Sequence, residues 1–262
     1  MRRFKKIVAL TCLAAGLTLM SESVSAQDVA KPPAPAEAPA AVSPVMTGIV
    51  DLATADSPLG LGHVAPQRGT EASWLAATEL PLFSTPNGDH WGWLWRGWLI
   101  PNGQGAYAIG RDASFAMVGV DSSRLGFPVL AARDDGWLQI QYTTEGSAWV
   151  HQTHLRQGTG DLRFVSWEDS LAAAATVEMR HGDDSQVLRS QPERGRNVLS
   201  LISASSLIEP LEMQNGWMRV RVTPLASDCR ALAGATQEEG WLRWKDSEGE
   251  LLLVPGRTAC AD

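Results

Sequence analysis

Arg133-Asp134-Asp135-Gly136-Trp137-Leu138-Gln139-Ile140-Gln141-Tyr142 is the stretch on which the fold turns. Asp135-Gly136 is a hairpin turn signal, because glycine accepts the positive φ that such turns require. Ahead of it stands the apolar run Phe127-Pro128-Val129-Leu130-Ala131-Ala132. Behind it, a strand from Trp137 places Trp137, Gln139 and Gln141 on one face and Leu138, Ile140 and Tyr142 on the other, so the latter face is the candidate core. Trp149-Val150 supplies a third short strand after the turn at Glu145-Gly146.

The same arrangement recurs downstream. Ile208-Glu209-Pro210-Leu211-Glu212-Met213 leads into Asn215-Gly216-Trp217 and Met218-Arg219-Val220-Arg221-Val222, with Gly240-Trp241-Leu242-Arg243-Trp244 as the partner strand. Trp137 and Trp149 are 12 residues apart and Trp217 and Trp241 are 24 apart, so the second copy carries about 12 extra residues there. A further match lies upstream, where Leu82-Phe83-Ser84-Thr85-Pro86 and Leu188-Arg189-Ser190-Gln191-Pro192 share the spacing Leu-x-Ser-x-Pro. Two shared units in one order suggest an internal duplication. The first copy then carries an insertion of about 26 residues between Leu82 and Trp137, or conceals a third, degenerate barrel.

These residues resemble the bacterial SH3-like domains. The family's opening, Val-Arg-Ser-x-Pro, is matched by Leu188-Arg189-Ser190-Gln191-Pro192, with Leu for Val. Its centre, an acidic or Asn residue followed by Gly-Trp and an alternating strand, is matched by Asn215-Gly216-Trp217-Met218-Arg219-Val220 and by Asp135-Gly136-Trp137-Leu138-Gln139-Ile140. Its close, Gly-Trp-Val, is met only loosely by Gly240-Trp241-Leu242, and Ser147-Ala148-Trp149-Val150 lacks the Gly. The resemblance implies an all-β chain of two small SH3-like barrels in tandem, with binding rather than catalysis as their role. Peptidoglycan and envelope proteins are the partners it implies.

The N-terminus gives the compartment. Arg2, Arg3, Lys5 and Lys6 precede an apolar run from Ile7 to Met20, and Val24 and Ala26 fit the −3 and −1 positions of a cleavage site. This reads as a secretory signal peptide over residues 1–26, with an apolar run too short to span a bilayer. The expected location is therefore the periplasm or the medium. Cleavage would remove four basic residues and one acid, leaving 18 basic against 28 acidic residues. That balance speaks against nucleic acid and anionic lipid as partners, since both need clustered Lys and Arg. No later stretch is long and apolar enough to predict a span in the mature chain.

Residues 27–45, with Ala-Lys-Pro-Pro-Ala-Pro-Ala-Glu-Ala-Pro-Ala-Ala, read as an extended linker that cannot bury a core. Residues 46–73 read as irregular, with one edge strand at most. The first barrel is expected over 74–160 with its insertion, and the second over 185–262. Within the connector, 161–184, Ser166-Trp167-Glu168-Asp169 resembles a capping box and is followed by Ala-rich sequence. It predicts a helix from Trp167 to Arg180 or, alternatively, a flexible linker followed by a strand from Thr176 to Met179. Cys229 and Cys260 make an even pair in an exported chain and are read as one disulfide, which pins the long second-copy loop to the C-terminal tail.

Candidate chemistry is sparse. There is no Gly-x-Ser-x-Gly elbow, His-Glu-x-x-His helix or phosphate-binding glycine loop. His151-Gln152-Thr153-His154 on a strand would point its imidazoles to opposite faces. No catalytic residue, metal or cofactor is expected, and the chain is read as a non-catalytic binding or adaptor protein of the envelope. The alternative is an envelope hydrolase, or a regulator or inhibitor of one, whose groups converge only in the fold. The 11 tryptophans bear on the ligand surface. Trp137, Trp149, Trp217 and Trp241 suit barrel packing. The run Trp91-Gly92-Trp93-Leu94-Trp95-Arg96-Gly97-Trp98, read as one strand, puts Trp91, Trp93 and Trp95 on one face with Leu94 and Trp98 opposite. Trp91, Trp93 and Trp95, with Arg96 as polar partner, are the ligand candidates. The competing assignment buries these rings between the two barrels.

Overall fold

The computed structural model describes residues 37, 49–52, 59–67, 73–102, 115–121, 123–156, 161–181, 184–226 and 230–256. The segment read as a signal peptide, the Pro/Ala tract apart from Glu37, and Cys229 and Cys260 lie outside the described residues. The described chain is mostly β-sheet, as the alternating runs require. Among the described residues no helix is long and apolar enough to cross a membrane.

Ten strands form the first sheet: β1 Ile49–Asp51, β2 Gly62–Pro66, β3 Glu79–Phe83, β4 His90–Trp95, β5 Trp98–Pro101, β6 Phe115–Gly119, β7 Leu125–Ala132, β8 Trp137–Gln141, β9 Ser147–His151 and β10 Leu162–Ser166. A short helix α1, Gln152–Leu155, follows β9. Helix α2, Trp167–Ala173, leads to the second sheet. That sheet contains β11 Val177–Met179, β12 Ser185–Arg189, β13 Val198–Ser203, β14 Ser206–Gln214, β15 Trp217–Pro224, β16 Glu238–Arg243 and β17 Leu253–Pro255.

One antiparallel path of seven strands occurs twice. It runs β4-β3-β9-β8-β7-β2-β10 in the first sheet and β13-β12-β16-β15-β14-β11-β17 in the second. The closing pair Phe83–Trp149 has its counterpart in Arg189–Trp241. Both register shifts recur as well. One falls at Leu82/Phe83 and again at Leu188/Arg189, the other between Val129 and Ala131 and again between Pro210 and Glu212. A bulge bends a strand and increases its twist, so the two sheets curl at equivalent points.

The strand ladders extend beyond the boundaries that the motifs suggested. β2, within the stretch read as irregular, is an interior strand between β7 and β10 and is buried throughout. β11, within the connector, pairs with both β14 and β17. The connector helix stops at Ala173 rather than Arg180, because Ala174 turns to extended backbone and Val177 enters the second sheet. Helix and strand, read as alternatives, thus follow one another. The insertion in the first copy contributes β5 beside β4 and β6 beside β7, so its described strands join the same sheet. The long loop after β15 turns back on itself through a bridge between Leu225 and Ala231.

Local sequence accounts for the turns. At Asn215-Gly216 both residues have positive φ, 47° and 80°, and Gln214 pairs with Trp217 across a two-residue loop. The first copy turns differently. The Gly136 N–H donates to Arg133 O at 3.0 Å, the Arg133 N–H donates to Trp137 O at 2.8 Å, and Gly136 takes φ 90°. This is a three-residue loop ending in a glycine bulge. Helix α2 is capped by Ser166, whose hydroxyl accepts from the Asp169 N–H at 3.0 Å and donates to the Asp169 carboxylate at 2.7 Å.

Two main cores result. Leu80, Leu82, Leu94, Phe127, Leu138, Ile140 and Val150 are central to the first. Leu188, Ile208, Met218, Val220, Leu242 and Leu253 are central to the second, but that core also takes in Leu52, Leu59, Ala116 and Val118 from the first half of the chain. Trp167 and Leu171 of α2 join it. Trp167 is 1% exposed, and its indole N–H donates to Leu59 O at 3.0 Å. The two seven-strand units are therefore packed through shared side chains.

Candidate functional site

The tryptophan-rich stretch is a hairpin. Arg96 and Gly97 take φ 49° and 86°, so the chain reverses there and Trp98 pairs with Trp95. Trp98 and Ile100 consequently join Trp93 and Trp95 on one face, while Leu94 and Leu99 enter the first core. Trp98 is thus on the side opposite to the one a continuous strand predicts. Trp91 also departs from that expectation. It sits at the bulge between the His90 and Gly92 pairings and packs toward the first core, stacked on Tyr142 at 5.8 Å. The four named candidates therefore divide. Trp93, Trp95 and Arg96 come together and Trp91 does not.

The resulting face forms a row. The His90 ring meets Trp93 at 5.2 Å, Trp93 meets Trp95 edge-on at 5.6 Å, and the Arg96 guanidinium lies 5.4 Å from the Trp95 ring centre. Arg96 is held by Glu79, which accepts from its Nε at 3.0 Å and its Nη2 at 2.9 Å. Trp93 and Trp95 are 8% and 7% exposed. Trp98 and Arg96 are half-buried and make the accessible rim. Neither Trp93 Nε1 nor Trp95 Nε1 has a hydrogen-bond acceptor among the described residues. Each is a buried donor, and such donors left unpaired cost about 1–3 kcal/mol. Trp93, Trp95 and Ile100 form a small buried cluster of their own, separate from the core that holds Leu80, Leu82, Leu94 and Leu99.

His90 and the His151–His154 pair, far apart in sequence, converge beside this row. The Phe83 ring contacts His90 at 5.4 Å, Trp137 at 5.1 Å and His154 at 5.9 Å. His151 and His154 do not point apart as a strand would require. α1 begins at Gln152, and the helical turn brings their rings to 6.3 Å. His151 Nε2 lies 2.8 Å from Asp135 O, and its Nδ1 accepts from the Thr153 N–H at 3.3 Å. A carbonyl only accepts, so the Nε2 carries the proton and the ring serves as an N-cap. Burial holds the His90 imidazole below its ordinary pKa, and repulsion from His154 acts in the same direction, against hydrogen bonds involving Gly92 and Asn102. Among the described residues no group of three or more His, Cys, Asp or Glu is placed to hold a metal ion.

A shallow cleft lined by Gln152, Leu155, Arg156, Leu162, Arg163 and Phe164 contains none of the tryptophans. The repeat-equivalent tryptophans serve packing. Trp137 and Trp217 are buried, and Trp149 and Trp241 are half-buried on the strands that close each path. Glu79, His90 and Trp98 were not legible as members of the site. Trp98 is placed by the Arg96-Gly97 reversal, for which Gly97 was the only local signal, and Glu79 and His90 by the pairing of β3 with β4. Compared with known proteins, the chain matches no family model and no curated protein.

Proposed function

We propose that this chain is an exported, non-catalytic binding protein of the bacterial envelope, built from two SH3-like modules. We assign its ligand surface to the face of Trp93, Trp95, Trp98 and Arg96, and cell-wall peptidoglycan to that surface. The observation that supports the assignment is the half-buried Trp98 and the Glu79-held Arg96 at the rim of the buried Trp93–Trp95 cluster, whose two indole donors have no acceptor among the described residues. An accessible aromatic ring such as Trp98 gives contact area for sugar and peptide groups, while Trp93 and Trp95 support it from beneath. Arg96, fixed by Glu79, adds an oriented charge at the rim. The signal-peptide reading of residues 1–26 places this activity in the periplasm or outside the cell. A protein partner is the alternative ligand, because an aromatic surface with a rim arginine also suits protein recognition.

Sedimentation of the purified mature chain with isolated sacculi tests the proposal. Trp98→Ala and Arg96→Ala should reduce sedimentation while leaving the melting temperature nearly unchanged, with the Trp substitution costing about 2 kcal/mol of binding. Trp93→Ala and Trp95→Ala should cost about 3–5 kcal/mol of stability, because those rings are buried. A chain that ignores sacculi but retains one defined envelope protein through Trp98 moves the reading to an adaptor. Unchanged binding in both rim variants removes this face as the ligand surface.

A further inference from the structure

The two sheets differ at one edge. In the first, β4 accepts a further antiparallel strand, β5, on the side away from β3. Its counterpart in the second sheet, β13, pairs with β12 and with no other strand among the described residues. An open edge presents unpaired backbone donors and acceptors, and proteins usually protect such edges with charge or proline. Val198-Leu199-Ser200-Leu201-Ile202-Ser203 contains neither. Instead Val198, Leu199 and Leu201 are 54%, 49% and 68% exposed.

We propose that this edge is an interface for a second copy of the chain, in which two β13 strands pair antiparallel about a two-fold axis and join the second sheets of two protomers. The β4–β5 pair shows that this edge of the seven-strand path takes an antiparallel strand. The charges at the two ends of the β12–β13 hairpin favour a copy as the occupant. Glu193, Arg194 and Arg196 are exposed at its tip, and the net charge there is positive, with Arg196 nearest β13. Asp184 lies at the opposite end, directly before Ser185, which pairs with Ser203. Antiparallel pairing centred between Ser200 and Leu201 sets Val198 of one copy opposite Ser203 of the other, whose partner on β12 is Ser185. Arg196, just before Val198, is thereby brought toward Asp184 of the other copy, directly before that Ser185, with about 10 Å between strands two apart. The two-fold axis makes this contact twice, and it holds a mature chain of net negative charge together where its surface is neutral and apolar. The interface is independent of the Trp93–Trp95 face.

Sedimentation velocity of the mature chain across a concentration series reads the association directly. The wild type should show a monomer–dimer equilibrium. Leu201→Lys, at the most exposed of the three positions, should raise the dimer Kd at least about tenfold with an unchanged circular dichroism spectrum and melting temperature. Arg196→Glu should weaken the dimer, and Arg196→Glu with Asp184→Lys should restore it, because the swapped charges still meet across the axis. The charge pair reads the interface even where the lysine variant folds poorly. A wild type that stays monomeric to about 1 mM, beyond any working affinity, overturns the proposal, as does a dimer indifferent to Leu201→Lys or a charge swap that fails to restore association. A monomeric chain that binds an added apolar peptide along β13 likewise replaces the second copy with a different occupant.

Discussion

Lowering the pH from 7 to 4 tests the packing of His63. The ring lies on β2, 4% exposed and 5.0 Å from Trp167, and its Nδ1 has no hydrogen-bond partner among the described residues. Burial, reinforced by the nearby Arg124 and opposed by Asp121, lowers its pKa from 6.5 to about 4. The unfolded chain therefore takes up a proton on His63 near pH 6.5 that the folded chain refuses until about 4. More protons are bound in the unfolded state, so stability rises with pH across this window and falls on acidification. At 1.36 kcal/mol per pKa unit the loss approaches about 3 kcal/mol when complete. The Asp121 carboxylate belongs to a lower window. Burial raises its pKa, but hydrogen bonds from the Ser123 N–H and from Arg124 outweigh burial and hold it below the usual 3.8, so its contribution is lost only at still lower pH. The assay is urea unfolding of the wild type and His63→Leu at several pH values. Leucine keeps apolar contact with Trp167 and removes the titration. The stability difference between the two proteins should shift by about 3 kcal/mol toward the variant between pH 7 and 4. His90, also lowered by burial, is present in both and cancels. Parallel stability curves would refute the argument and mean that His63 is hydrated or ion-paired in solution.

The two turn glycines should respond unequally to Gly→Ala. A Cβ on Gly136 meets His151 Nε2 at 2.9 Å, whereas one on Gly216 meets Lys245 Cε at an ordinary 3.4 Å, so Gly136→Ala should destabilise by about 1 kcal/mol more in urea unfolding, beyond the positive-φ cost shared by both. A fragment starting at Ser185 should lack a cooperative transition in thermal circular dichroism, because it omits β11, the strand between β14 and β17, and the α2 side chains of the second core. A fragment from Ser166 should recover strand signal relative to it. Thiol labelling of the denatured, non-reduced mature chain should find no free cysteine if Cys229 and Cys260 are joined, and reduction should cost about 3–4 kcal/mol.

The sequence was most legible where a side chain acts on its own backbone. Asp135-Gly136 and Asn215-Gly216 marked the central hairpins because glycine there supplies a positive φ, and Ser166 marked the helix start because its hydroxyl caps Asp169. The Leu-x-Ser-x-Pro matches located equivalent strands, since Phe83 and Arg189 occupy the same place in the two paths. The outer strands were not legible. Gly62-His63-Val64-Ala65-Pro66 is five residues bounded by Gly and Pro and has no apolar alternation, because both of its faces are covered. Pairing partners far along the chain decide its state, and no local pattern encodes them. Trp98 was placed on the wrong side for a related reason. Arginine seldom marks a positive-φ turn position, so Arg96-Gly97 did not announce the reversal that moves Trp98 across.

The position of β2 also governs the order of folding. Its partners are residues 127–129 of β7 and 162–166 of β10, and Trp167 reaches back over 108 residues to Leu59. A chain that emerges N-terminus first at about 5–20 residues per second exposes Gly62–Pro66 for several seconds before β10 exists. The β14–β15 hairpin, by contrast, closes over the two residues Asn215-Gly216 on a microsecond scale. Closing a loop of roughly a hundred residues incurs its entropy before any contact repays it, so topology of this kind slows folding. Assembly therefore starts from the local hairpins. The first of the seven-strand units to be synthesised is complete only when the connector has been made, and the capped helix that links the units also closes a loop of 108 residues back to Leu59.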